Sequence, residues 1–359
     1  MTGKIISIGT ALPEYTFSQE EILEFMQQAY TDVQGIRKLK VLFHQSGIQK
    51  RYSVLPDFGS NARPTFFKHG EEQPDVSKRT EVYKESGLKL AIASIQNALA
   101  TAQITLTEIT HLITVTCTGI YAPGLGAQLI KSLNLPEDLD HTPVNFMGCN
   151  AAFYGLKIAE LIVANNSKAK VAVVCVELCT LHFQPISTTD NLLSNTLFGD
   201  GAATALVASN KTEQKGLSIQ GFHSLMLHKG WNHMGWNIQA KAFEMILSPE
   251  VPKFIEEEVE KIVEKASARY GISASEVTHW CVHPGGMKIL NEVKRRLNLS
   301  DEEIQHSYEV LSEHGNMSSP TILFVLKRIM EKLTLQKNQI FALGFGPGLS
   351  IESALLKYE

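Results

Sequence analysis

The sequence predicts a layered α/β protein assembled from two halves of related plan. Three observations lead there. Short apolar runs of strand length alternate with longer segments whose apolar residues recur at helical spacing. The order of these elements repeats along the chain. A polar junction, SNKTEQKG at 209–216, separates the two series. Alternating strand and helix patterns argue for sheets covered by helices, and a repeated order argues for duplication.

The elements follow in order. A strand is expected at 4–9 and a helix at 18–29. The stretch LPDFGSNARPTFFKHGEEQPD (55–75) is rich in Pro, Gly and charge and reads as a long surface loop. A helix at 80–102 precedes strands at 111–117 and 143–147, a helix at 150–165, and strands at 170–177 and 202–208. Beyond the junction, Val251, Phe254, Ile255, Val259, Ile262 and Val263 keep the i, i+3, i+4 spacing of a helix over 251–269. HLITVTCTG (111–119) is echoed by HWCVHPGG (279–286), and GCNAAFYGLKIAELI (148–162) by GNMSSPTILFVLKRIM (315–330). KVAVVCVE (170–177) is echoed by QIFALGFG (339–346), and GDGAATALVAS (199–209) by GPGLSIESALL (346–356). Each half, 1–209 and 210–359, is therefore expected to build its own sheet and to pack against its twin.

Composition narrows the function. Of 359 residues, 44% are apolar and 19% charged, with a net charge of −4, as in a compact soluble enzyme. No run of five basic residues suggests nucleic acid, and no apolar stretch is long enough to span a bilayer. The opening MTGKIISIGTALPEYTF lacks the pattern of a secretory signal, so a reducing cytoplasm is the expected setting. Five cysteines (Cys117, Cys149, Cys175, Cys179 and Cys281) are too few and scattered for a disulfide framework. Cys175 and Cys179 form a CxxxC without a second ligand pair nearby, so no metal is expected. FGDGAA and GFGPGL lack the GxGxxG spacing after a first strand, so neither nicotinamide nor flavin is implied, and Asp200 reads as a turn residue.

Chemistry concentrates on three glycine-flanked turns. Cys149 stands after Gly148 at the start of a helix, where unpaired N–H groups and the dipole favour a thiolate. His283 ends a strand before Pro-Gly-Gly, and Asn316, after Gly315, is the repeat counterpart of Cys149. Singly, these read as a buried thiol, a satisfied imidazole and an N-cap. Together they suit acyl transfer and carbon–carbon bond formation. His283 would hold the Cys149 thiolate ready for a thioester, and His283 with Asn316 would offer two donors to the enolate oxygen formed when a malonyl thioester loses CO2. A dry cleft would keep water from the carbanion.

FMGCNAAF, LFGDGAA, VHPGG, GNMSSP and GFGPGL, in this order, resemble the type III polyketide synthases of the chalcone and stilbene synthase family. The resemblance implies a thiolase fold with duplicated βαβαββ halves in an αβαβα core, and a homodimer. It implies Cys149 as nucleophile and His283 with Asn316 as the decarboxylation pair. No cofactor is implied beyond the substrates, malonyl-CoA and an acyl thioester. Phe198 matches the family's aromatic gatekeeper; the second gatekeeper falls on Met245, or on Phe243 after a gap. Cys117, Cys179, His182 and Ser318 fall at substrate-facing positions. Cys117, Cys179 and His182 stand where plant members carry threonines, and Ala122 and Met147 also depart from the plant pattern. These departures resemble bacterial members that make alkylpyrones or alkylresorcinols from fatty acyl starters, although the bulk of His182 would instead shorten the pocket. On the CoA side Lys38 matches one of three basic positions, while Val41 and Gln45 occupy the others; Arg37 and Lys40 would substitute, or an acyl carrier protein would deliver the starter. Two alternatives remain: a β-ketoacyl carrier-protein synthase III making one condensation, and a non-catalytic thiolase-fold partner subunit.

Overall fold

The structure is a computed structural model that describes residues 2–59, 64–333 and 339–359. The first half runs β1 (Gly3–Ala11), β2 (Tyr15–Ser18), α1 (Gln19–Ala29), α2 (Val33–Gln45), β3 (Lys50–Ser53), α3 (Val76–Ala102), β4 (His111–Thr116), α4 (Leu125–Ser132), β5 (Asp140–Asn145), α5 (Ala151–Asn165), β6 (Lys170–Leu178), α6 (Thr189–Leu197) and β7 (Asp200–Ser209). The second runs β8 (Leu217–Met226), β9 (Met234–Ile238), β10 (Phe243–Leu247), α7 (Val251–Tyr270), β11 (His279–Val282), α8 (Met287–Arg296), α9 (Asp301–His314), α10 (Thr321–Lys332), β12 (Gln339–Gly346) and β13 (Ser350–Tyr358).

Duplication is written in the strand order β11-β12-β13-β8-β1-β7-β6-β4-β5. Read outward from the middle, β1-β7-β6-β4 mirrors β8-β13-β12-β11. The pairing senses match as well: β4 is parallel to β6 and β11 to β12, while β1–β7, β7–β6, β8–β13 and β13–β12 are antiparallel; β5, parallel to β4 at the edge, has no counterpart. The expectation of a separate sheet for each half is corrected at the centre. Lys4 pairs with Ser218 and Ile5 with Leu217, so the two halves share one hydrogen-bonded sheet.

Period-two alternation sorts the side chains into layers. In β6, Val171, Val173 and Cys175 face the central helices α5 and α10, while Ala172, Val174 and Val176 join the core under α3. In β12, Ile340 and Ala342 face that same central layer, and Phe341, Leu343 and Phe345 face the layer of α7, α8 and α9. The result is helix, one wing of the sheet, helix pair, the other wing, helix. Against the sheet α3 lies so close that a Cβ on Gly9 would fall 2.2 Å from Ser94 O and Ala98 N, so only glycine fits there. Ser18 with Glu21 and Ser300 with Glu303 close capping boxes on α1 and α9, and the Asp75 carboxylate caps α3.

The expected helices and strands of the first half stand within a few residues of their places. The reading of 55–75 as a surface loop needs correcting; its residues 60–63 lie outside the described residues. Asp57, Phe58 and Phe67 are buried. The Asp57 carboxylate accepts from the N–H groups of Phe66 and Phe67, and Phe58 and Phe67 both pack edge-on to Phe183. Aromatic burial outweighs the turn-forming residues around it. No described helix is long and apolar enough to cross a membrane.

Candidate active site

The turn between β5 and α5 is built to hold Cys149. Phe146 and Gly148 take left-handed φ values of 59° and 80°. A Cβ on Gly148 would lie 2.3 Å from Pro347 Cδ, so glycine serves both the turn and a close approach from the second half. Helix α5 begins at Ala151, whose N–H bonds to Gly148 O, and Asn150 is its N-cap. The Asn150 side chain turns away to donate to Ser350 Oγ at 2.9 Å, beside Gly346, where a Cβ would meet it. Cys149 therefore sits just outside the first helical turn.

The other two groups arrive from the second half. The His283 backbone N–H donates to Leu343 O at 2.8 Å, continuing the β11–β12 pairing to the sheet's end. Both His283 ring nitrogens are buried and have no partner among the described residues. Burial pushes the imidazole down to about 3, so it is neutral, with one nitrogen able to donate and the other to accept. The Asn316 backbone bridges to the α6–β7 turn: its N–H donates to Leu197 O and its carbonyl accepts from Gly199 N–H. Its Oδ1 accepts from Ser318 N–H at 2.8 Å, which fixes the amide orientation. Nδ2 has a long 3.5 Å contact with Gly285 O and faces the Cys149 thiol, whose pKa its hydrogen bonding lowers.

Cys149, His283 and Asn316 line one pocket of about 280 Å³ whose other walls include Leu247, Ile289 and Phe345. It adjoins a cavity of about 880 Å³, mouth included. Cys149, Phe198, Met234 and Met245 line both and form the partition. Met245, rather than Phe243, thus stands with Phe198 between the chambers. Cys117, Cys179, His182 and Ser318 all line the larger cavity. Lys38 does not; it is exposed on α2, as are Arg37 and Lys40.

Electrostatics corrects one expectation. Burial pushes the Cys149 thiol up to about 11; hydrogen bonding with Ser318 and Asn316 pulls it down, and the Glu177 charge adds to the rise. A helix start alone does not offset that burial, so the resting thiol keeps its proton. His283, neutral and unpartnered, lines the same pocket. Burial also raises the Glu177 carboxyl against the hydrogen bonds it accepts from Ser319, Cys117 and Thr118. Ser318 holds a left-handed φ of 58°, and its Oγ lies 3.6 Å from Cys117 Sγ.

His182 is a fixed wall. Its Nε2–H donates to Thr118 O at 2.8 Å, its Nδ1 accepts from Phe243 N–H at 3.1 Å, and its ring stacks on Phe243 at 4.3 Å. Burial pushes it down to about 3. Trp236 Nε1–H donates to Cys117 O at 2.6 Å, so the β9–β10 hairpin is pinned to the end of β4. Sequence reasoning missed Met234, Trp236, Glu177 and Arg51. Nothing local marks Met234, Trp236 or Arg51, whereas Glu177 carried a signal as a charge inside a strand pattern. Cys175 faces the central core and Cys179 the cavity, on opposite sides of the chain.

Comparison with known proteins agrees with this geometry. The family model for the N-terminal domain of chalcone and stilbene synthases matches residues 2–211, and that for the C-terminal domain matches 220–358. The 3,5-dihydroxyphenylacetyl-CoA synthase of Streptomyces toyocaensis is 29% identical over 363 residues, covering 99% of this chain and 90% of that protein. Among solved structures, PKS-I from the brown alga Ectocarpus siliculosus superposes with a TM-score of 0.94 at 27% identity, covering 100% of this chain and 98% of that one. The 1,3,6,8-tetrahydroxynaphthalene synthase of Streptomyces coelicolor, a bacterial type III polyketide synthase, gives 0.89 at 26% identity, with 99% of each chain covered. With both halves matched and the thiolase fold shared along the whole chain, the protein belongs to the chalcone and stilbene synthase family, the type III polyketide synthases.

Proposed function

We propose that the protein loads an acyl starter onto Cys149, extends it repeatedly with malonyl-CoA by decarboxylative condensation, and closes the chain into a pyrone or resorcinol ring. The observation that carries this reading is the convergence of Cys149, an unpartnered His283 and the weakly engaged Nδ2 of Asn316 in one apolar pocket. In loading, Sγ attacks the thioester carbonyl while its proton passes to a His283 nitrogen, and the thiol of the carrier leaves with a proton. In extension, the malonyl carboxylate departs as CO2. Its electron pair becomes an enolate whose oxygen takes hydrogen bonds from the His283 N–H and Asn316 Nδ2. The enolate carbon then attacks the Cys149 thioester carbonyl, and Sγ leaves and takes back the proton held by His283. The lengthened chain, now on CoA, reloads onto Cys149 for the next round while the apolar walls keep water from the enolate.

A second chamber beyond Phe198 and Met245, lined by Cys117, Cys179 and Ser318, supports several extensions over the single one of a β-ketoacyl synthase III. An apolar arm of Phe17, Ile22, Met26, Phe58 and Phe183 supports an aliphatic starter. Relatives named for dihydroxyphenylacetyl and tetrahydroxynaphthalene products support ring closure. Lys38, with Arg37 and Lys40 exposed beside it on α2, is proposed to meet the phosphates of CoA, and the enzyme to act as a homodimer in the cytoplasm. Turnover of acyl-CoA against acyl-carrier-protein starters tests the delivery: equal or better CoA rates exclude a required carrier protein.

The experiment is incubation with labelled malonyl-CoA and a ladder of acyl-CoA lengths, with products weighed by mass spectrometry. Several malonyl units per starter are expected from the wild type and none from Cys149→Ala. One unit per starter would restore the single-condensation reading, and undiminished incorporation by the variant would remove Cys149 from the reaction.

A further inference from the structure

The three backbone carbonyls that most directly set the position of Phe198 are held by side chains from the other end of the half. Helix α6 ends at Leu197, leaving its last carbonyls without helical partners. Arg51, on β3, is only 3% exposed. Its Nη1 donates to Asn195 O at 2.8 Å and Phe198 O at 2.6 Å, and its Nε donates to Gln19 Oε1 at 2.9 Å. Gln19, the first residue of α1, donates through Nε2 to Thr196 O at 2.9 Å and to Ser46 Oγ at 3.2 Å. A cation and an amide thus close the negative end of α6.

The same arginine runs against the chain that carries Asn316. A Cβ on Gly315 would lie 2.9 Å from both Cγ and Cδ of Arg51, and one on Gly199 would lie 3.5 Å from its Cβ. Gly199 follows Phe198 and Gly315 precedes Asn316, so the stem of Arg51 packs against the backbone at both residues. Phe198 and Asn316 themselves face each other in an isolated parallel bridge. One buried side chain therefore contacts both the partition between the chambers and the strand bearing the enolate donor.

We propose that Arg51, with Gln19, is a positioning residue that fixes Phe198 and Asn316 relative to each other, and so sets both decarboxylation efficiency and the number of extensions. It touches no reacting atom in this account. Its effect runs through where the Asn316 amide and the Phe198 ring stand, and a displacement near 1 Å at such a site is enough to cost a large factor in rate. The inference rests on the polyketide synthase reading above.

Arg51→Lys, Arg51→Met and Gln19→Leu test it, with malonyl-CoA decarboxylation and product lengths as readouts. In Arg51→Met, kcat for decarboxylation should fall by about tenfold or more with KM little changed, because Asn316 acts in the transition state. Product lengths should spread. Arg51→Lys keeps the charge and one donor and should recover part of both effects. Gln19→Leu leaves the Arg51 bonds to Asn195 and Phe198 in place, so it should fold where Arg51→Met does not, and should shift the products in the same direction by less. Folded variants with a lower melting temperature but unchanged kcat and product lengths would overturn the proposal, leaving Arg51 a structural residue only. A wild type that does not consume malonyl-CoA would instead defeat the polyketide synthase reading itself.

Discussion

Replacing Asn316 by Asp removes one donor and puts an acceptor oxygen in its place. The Asn316 Oδ1 is occupied by Ser318 N–H at 2.8 Å, and an aspartate oxygen can keep that bond. The other position changes from Nδ2, a donor, to an oxygen that carries negative charge and can only accept. In the resting enzyme Nδ2 has a long 3.5 Å contact with Gly285 O and hydrogen bonding to the Cys149 thiol, and a buried carboxylate there also costs stability, so a melting curve accompanies the rates. A donor of this kind is worth about 2.7–4 kcal/mol, or about 10²–10³ in kcat. The assay separates two steps: CO2 release from malonyl-CoA, and starter loading followed by the intact mass of the protein. Decarboxylation should fall by that factor while loading on Cys149 stays near the wild-type rate. Undiminished CO2 release, or a loss of loading as large as the loss of decarboxylation, would refute the assignment of Asn316 to the enolate oxygen.

Other consequences follow from particular contacts. His182 is held at about 3, below the 6.5 of a free imidazole; a depressed pKa contributes stability that is present above 6.5 and lost as pH falls through the folded value, at up to ~1.4 kcal/mol per pH unit. His182→Gln, which keeps a donor for Thr118 O and an acceptor for Phe243 N–H, should lose less stability between pH 7 and about 5 in urea titrations, and parallel pH slopes would contradict this. Gly148→Ala should cost about 1–2 kcal/mol for its left-handed φ and about 1–3 kcal/mol more for the clash with Pro347; a melting temperature equal to wild type would show that the turn is looser than it looks. Met26→Trp should shorten the apolar arm and lower kcat/KM for long starters by about fourfold for each methylene left without contact, at ~0.8 kcal/mol per CH2. An unchanged preference along an acyl-CoA ladder would place the starter elsewhere.

Much of this architecture could be read from the chain because the same plan is written twice. The echo between 111–119 and 279–286 marks β4 and β11, and the turns that end them share a sheet position. The echo between 148–162 and 315–330 marks α5 and α10, which pack as the central helix pair. Glycine-flanked Cys149, His283 and Asn316 stood out because the turns need residues that the surrounding periodicity does not supply. What escaped was non-local. The β1–β8 pairing that fuses the sheets rests on two residue pairs that carry no turn signature. The buried stretch around Asp57, Phe58 and Phe67 has a loop's composition, and its burial depends on Phe183, more than a hundred positions away. The ionisation of Cys149 also went wrong, because the helix start is visible in the sequence and the depth of burial is not. Arg51 lay outside every expected element and Glu177 ended an expected strand, and only packing shows how many bonds each one organises.

The most direct measurement is the intact mass of the protein after brief exposure to a long-chain acyl-CoA, before any malonyl-CoA is added. The account predicts one acyl group per chain, carried by the peptide containing position 149 and absent from Cys149→Ala. An acyl group on another cysteine, or none on a folded protein that still consumes malonyl-CoA, would contradict it.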